Sequence, residues 1–170
     1  MSNKYLLEIG VEELPAGMIN DALQQLKDKT GKMFKDERIK FDKIDAYTTP
    51  RRLTIIISGL ADKQDTIEEM VKGPAKRIAY DEEGNPTKAL QGFMRGQGIG
   101  LDQIHIKEYN GEDYVYGAVV KEGEKTVDVL SNNIPNIIKS IVFPKSMKWG
   151  GKNIRFARPI RWIVSIFNDT

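Results

Sequence analysis

The sequence predicts an α+β fold of mostly antiparallel strands with two long amphipathic helices and shorter helices. Three observations predict it. Two long stretches repeat apolar residues at three- and four-residue steps, the period of a helix with one buried face. Short apolar or β-branched runs bounded by Pro, Gly, Asn and Asp lie around them. Asn110-Gly111 separates two such runs as a hairpin turn would.

Taken in order, residues 4–10 read as a strand, with Tyr5, Leu6, Leu7 and Ile9 apolar. Leu14-Pro15 opens the first long helix, because proline is favoured in a first turn. Its buried face is Ile19, Ala22, Leu23, Leu26, Thr30 and Met33. Residues 42–47 and 52–60 read as strands joined through the Thr49-Pro50 turn signal. Residues 66–72 read as a strand stopped by Gly73-Pro74, and 81–86 as a turn. Thr87 is placed to cap a short helix to Arg95, which Gly96, Gly98 and Gly100 end. The hairpin strands are 104–109 and 113–120. Residues 126–142 form the second long helix, which Pro135 should kink or interrupt and Pro144 stops. Ile160 to Phe167 reads as a buried strand. The chain stops three residues later, so a fragment of something longer is expected. The organisation expected is a strand–helix–strands unit over 1–62, a strand/helix/hairpin unit over 63–125, and a helix, basic segment and final strand over 126–170.

A chain of 170 residues fits one ordinary domain or two small ones and needs no covalent staples. With no cysteine there is no disulfide framework, thiol nucleophile or Cys-based zinc site, which suits a reducing cytoplasmic location. His105 is the only histidine and reads as a surface residue. No apolar run approaches the length that spans a membrane, and the N-terminus lacks a signal-peptide core.

No catalytic constellation is visible. Gly96-Gln97-Gly98-Ile99-Gly100 follows a helix, where phosphate loops follow a strand. Glu12-Glu13 reads as negative charge at a helix N-terminus rather than an acid–base pair. Lys145-Ser146-Met147-Lys148 shares letters with the lysine-rich loop of one synthetase class, but the order is wrong and its histidine-containing partner motif is absent. The acidic clusters Asp65, Glu68, Glu69 and Asp81 to Glu83 read as solvated faces, and no metal site is expected.

Charge distribution is more informative. The forty residues from Val129 to Asn168 hold seven cations (Lys139, Lys145, Lys148, Lys152, Arg155, Arg158 and Arg161) and no Asp or Glu. The other 130 residues carry 19 basic against 24 acidic groups, a net of −5 beneath a whole-chain charge of only +2. Phe143, Trp149, Phe156 and Trp162 share the basic window. Cations interleaved with flat rings suit RNA, a polyanion with stackable bases, and equally suit a protein interface anchored on Arg and Trp. Pairing with the acidic body is the third option. Arg51, at a strand entry, and Lys72, Lys76 and Arg77, around Gly73-Pro74, are further basic candidates or simply solvated.

Several blocks carry a family resemblance. They are residues 7–15 (Leu7-Glu8-Ile9-Gly10-Val11-Glu12-Glu13-Leu14-Pro15), 49–53, 72–74, 84–96, 143–150 and 155–162. Standing in this order along nearly the whole chain, they resemble the N-terminal part of the β subunit of bacterial heterotetrameric glycyl-tRNA synthetase. The departures, Lys148 and Ala157 where Arg and Val are expected, keep charge and apolarity. The resemblance implies an enzyme of two α and two β subunits that joins glycine to its tRNA. The ATP and magnesium sites then belong to the partner α subunit, and this segment holds neither a cofactor nor a catalytic centre. Its implied partners are the α subunit, the remainder of the β subunit and tRNA(Gly), with no membrane. Its implied role is to position tRNA or bind neighbouring subunits.

Overall fold

The computed structural model describes residues 3–150 and 154–170. They fall into two compact units, one formed by the chain up to Asp65 with Glu124–Thr170, the other by Thr66–Gly123.

The first unit is a four-stranded antiparallel sheet with helices on one face. Its strands are β1 (Lys4–Val11), β2 (Lys43–Thr49), β3 (Arg52–Ser58) and β9 (Ile160–Phe167), in the order β2-β3-β1-β9. Side chains alternate across a strand, so Tyr5, Leu7, Ile9 and Val11 of β1 and Leu53, Ile55 and Ile57 of β3 all point to one face and are buried. Two helices, α1 (Ala16–Asp36) and α4 (Thr126–Lys139), cover that face. They supply Ala22, Leu26, Met33 and Phe34, and Val129, Leu130, Ile134, Ile137 and Ile138. Burying each large aliphatic or aromatic side chain contributes roughly 1.5–3 kcal/mol, so this layer dominates the unit's stability. The opposite face carries Leu6, Glu8, Gly10, Arg52, Thr54, Trp162 and Val164, and among the described residues neither helix of this unit lies on it.

The second unit is a three-stranded sheet, β4-β6-β5, of β4 (Ile67–Ala75), β5 (Ile104–Tyr109) and β6 (Glu112–Lys121). Its helices are α2 (Lys76–Ala79) and α3 (Lys88–Gln97), and its small core is Ala79, Leu90 and Val115 with Phe93, Met94 and Ile104. The two chain crossings at its base are tied together. Gln64 N–H donates to the Glu124 carbonyl (2.9 Å), and Thr126 Oγ1 donates to the Ala61 carbonyl (2.6 Å).

Several expectations change. Strand β4 runs through Gly73-Pro74 instead of stopping there, with a register shift between Lys72 and Ala75 that absorbs the proline's missing donor. Gly73 tolerates the close approach because a Cβ there would lie 2.9 Å from the Phe93 ring. Helix α4 passes uninterrupted through the exposed Pro135 and ends at Lys139, short of Val142. Thr87 does not cap α3 with its side chain; its hydroxyl donates to the Ile78 carbonyl (2.6 Å), joining the start of α3 to α2. Finally, the basic segment contains a two-stranded hairpin, β7 (Met147–Trp149) and β8 (Ile154–Phe156), that periodicity did not reveal. Helix α2 was not foreseen, and β9, expected buried, is an edge strand exposed at most positions; the other strands and helices lie close to where the sequence placed them, and Gly98 ends α3 in the left-handed conformation (φ +67°) that glycine favours.

Two groups inside the first unit make testable demands. Thr30 is fully buried in α1 and its hydroxyl has no hydrogen-bond partner among the described residues. Thr30→Val keeps the shape and removes the orphaned donor, so it should raise unfolding stability by about 1 kcal/mol, read by denaturant titration. The Tyr5 hydroxyl, bonded to Ser165 Oγ at 2.8 Å, is pushed by burial up to about 12. A raised folded-state value favours the neutral phenol. Its contribution is therefore complete below the unfolded value of about 10 and is lost as pH rises toward 12. Tyr5→Phe should flatten this part of the alkaline stability loss.

Candidate functional site

The basic candidates separate into three places. On the β7–β8 hairpin, Lys148 and Arg155 are directly opposite Cα partners, so their side chains share a face. Both are exposed, as is neighbouring Lys145. Among the described residues no carboxylate lies within ion-pair distance of any of the three. Two like charges facing each other across a ladder repel, which costs stability unless an anion joins them. The other hairpin face anchors it: Phe156 is buried against Phe143 (ring centroids 4.6 Å apart) and Trp149 packs on the same core. The Trp149 indole N–H donates to the Phe156 carbonyl at 3.0 Å, so this tryptophan holds the hairpin and is not a free stacking platform. Lys152 lies outside the described residues.

The second place is an open cleft of about 800 Å³ where the β1–α1 loop, the β2–β3 turn and the approach to β9 meet. Arg51, Arg158, Arg161 and Trp162 line it together with Glu12 and Glu13. Backbone bonds fix the three segments: Val11 N–H to the Arg51 carbonyl (2.9 Å), Leu14 N–H to the Pro50 carbonyl (2.8 Å) and Glu12 N–H to the Pro159 carbonyl (3.1 Å). Arg158 Nε donates to the Glu13 carbonyl (3.1 Å), and Arg161 pairs loosely with Glu12 at 3.5 Å. Glu12 and Glu13 thus precede α1, whose first turn carries no acid, and they serve the cleft rather than the helix end. The arginines at every third position do not form one stripe, because Arg155 lies on β8, Arg158 in a bend and Arg161 on β9.

Trp162 stands on the helix-free face of the sheet, 39% exposed. Its indole N–H donates to Glu8 Oε1 at 2.9 Å, and the Arg52 guanidinium lies 5.8 Å from its ring centroid. The ring covers Gly10, its register partner: a Cβ there would sit 1.9 Å from Trp162 Cε2. Sequence offers Glu8 and Gly10 only inside the 7–15 block and does not place them at a site. The available signal was a glycine inside a strand, which marks close approach by another group.

The third place is in the second unit, and its cations are locally satisfied. Lys72 Nζ lies 3.6 Å and 4.0 Å from the ring centroids of Tyr114 and Tyr109. Lys76 pairs with Asp113 (3.1 Å) and Arg77 with Glu112 (2.7 Å). Tyr114 donates to Glu112 at 3.1 Å, a bond that raises its pKa above the usual tyrosine value. Among the described residues the hairpin cations, like Arg51 of the cleft, have no ion-pair partner.

Gly10→Ala should force the Trp162 ring off its seat, costing about 1–3 kcal/mol and shifting indole fluorescence. In a Trp162→Ala background the same change should cost far less. Equal costs in both backgrounds would show that the ring is not what makes glycine necessary.

The chain matches a family model described as glycyl-tRNA synthetase beta subunit over residues 5–170. It is 50% identical to the glycine–tRNA ligase beta subunit of Clostridioides difficile (strain 630), over 99% of this chain and 25% of that protein. It is 48% identical to those of Limosilactobacillus reuteri (strain DSM 20016) and Lactobacillus acidophilus, over 99% of this chain and 24% of each. The chain spans about a quarter of the length of these relatives. With a match that runs through both units and every block around the cleft, the chain belongs to the glycyl-tRNA synthetase beta subunit family.

Proposed function

We propose that this chain is the N-terminal, non-catalytic part of a glycine–tRNA ligase β subunit and that its β7–β8 hairpin helps to hold tRNA. The observation that carries this reading is the exposed pair of Lys148 and Arg155, cross-strand partners beside Lys145 with no carboxylate in reach among the described residues. Phosphate oxygens are the anions such a pair suits, and a positioned cation needs no chemistry of its own to assist a partner's reaction. Glycine activation with ATP and magnesium, and transfer to the tRNA 3′ end, are assigned to the α subunit, and the place of work to the cytoplasm. No helix among the described residues is long and apolar enough to cross a membrane.

A second reading concerns the cleft. Its arginines are interleaved with Glu12 and Glu13, so it presents both signs of charge around an indole whose N–H is held by Glu8. That mixture suits a protein surface, either the α subunit or the remaining β chain, better than a phosphate backbone. Hairpin and cleft therefore divide the RNA-positioning and subunit-binding roles.

Reversing charge on the hairpin with Lys145→Glu, Lys148→Glu and Arg155→Glu tests this in the assembled enzyme. The variant should lose tRNA affinity, and its log–log salt slope should shrink by about 2–3, corresponding to three lost phosphate contacts. Subunit assembly should be unchanged. Arg51→Glu with Arg158→Glu should do the opposite, weakening assembly while leaving the salt slope of the assembled fraction intact. Unchanged tRNA affinity in the hairpin variant would refute the RNA role.

A further inference from the structure

The two edges of the four-stranded sheet are unlike. Strand β2 has the features of a strand meant to stay at an edge: Lys43 and Asp45 lie on it as an exposed ion pair at 2.8 Å. Strand β9 carries its one charge, Arg161, at its second residue. From Trp162 to Phe167 it contains no charge, no proline and no glycine, and Ile163 and Ile166 are 50% and 41% exposed on opposite faces. A long apolar edge of this kind is a template for another strand.

The backbone beyond β9 shows which strand. Phe167 N–H donates to the Thr170 carbonyl (2.8 Å) and Thr170 N–H donates to the Phe167 carbonyl (3.0 Å). Reciprocal bonds of this kind close a two-residue β-hairpin. Asn168 takes the positive φ (+52°) that such a loop needs at its first position, and its N–H turns inward to the Lys4 carbonyl (2.9 Å). Backbone groups alternate sides along a strand, so those of Ile163 and Ser165 share the outward side with Phe167. Thr170 therefore already pairs with β9 on its free side, heading back antiparallel. The relatives are four times as long as this chain, so polypeptide to continue that pairing exists in them.

We infer that, in the full-length subunit, the residues following Thr170 form a fifth strand antiparallel to β9, satisfying the outward groups of Ile163 and Ser165 and covering Ile163 and Ile166. The sheet becomes β2-β3-β1-β9 plus this strand, and the first unit is joined to the rest of the subunit by continuous backbone hydrogen bonding rather than by a linker. The inference rests on the sheet, its terminal turn and the greater length of the relatives, and is independent of what the basic hairpin binds.

Residue-resolved hydrogen exchange on the assembled enzyme tests it. The amides of Val164 and Ile166 face β1 and are protected in either case. If the fifth strand is present, those of Ile163 and Ser165 should exchange within about tenfold of them; as a bare edge they should exchange at least about 100-fold faster. A second measurement identifies the occupant. Val164→Cys and a cysteine at the third residue after Thr170 would stand opposite each other in a non-hydrogen-bonded pair, about 4.5 Å apart at Cα. Under oxidation they should form a disulfide within one chain. Fast exchange at Ile163 and Ser165 overturns the inference. So does protection without the intrachain disulfide, or a disulfide found only between two copies.

Discussion

The fold depends on β1 being paired on both sides. Residues 4–11 bond β3 on one edge and β9, more than 150 residues later, on the other. A strand flanked on both edges and covered on one face must be apolar at alternate positions, and Tyr5, Leu7, Ile9 and Val11 meet that demand. This single constraint brings the Glu12-Glu13 loop, the Pro50-Arg51 turn and the Arg158-Pro159 bend to one end of the sheet. They are there because β1, β3 and β9 end there in register. The cleft is a consequence of sheet topology, with side chains added at its rim.

The other consequence is a sharp separation of surfaces. The helices take one face, leaving Trp162, Glu8 and Arg52 on the other. The β7–β8 hairpin hangs from the core by Phe156 and Trp149 and turns Lys148 and Arg155 outward. Its charge is held in place by buried aromatics rather than by counter-charges. That lets it stay unneutralised among the described residues, in contrast to Lys76 and Arg77, which acids of their own unit neutralise. Fixed positive charge on a rigid support is suited to orienting a flexible polyanion.

Much of this was legible in sequence, and the parts that were not have physical reasons. Helix α1 was readable because five turns repeat one apolar face, and β3 because Thr54 to Ile57 is densely β-branched. Strand β9 was recognisable as a strand, but its partner was not, since pairing over such a separation leaves no local trace. The β7–β8 hairpin escaped because three-residue strands are too short for alternation to register. The basic window was visible as charge. That it splits between an acid-free hairpin and a mixed cleft was not, because Glu12 and Glu13 enter from the far end of the chain. The two tryptophans looked equivalent in sequence; one is a structural clasp and the other is open to partners.

The hairpin cations are proposed to meet tRNA because no carboxylate among the described residues neutralises them. Lysine acetylation footprinting of the assembled enzyme, with and without bound tRNA, tests this most directly. The claim predicts that tRNA strongly slows modification of Lys145 and Lys148 while leaving Lys76, already paired with Asp113, unchanged. Equal modification of Lys145 and Lys148 in the free and tRNA-bound enzyme would contradict it.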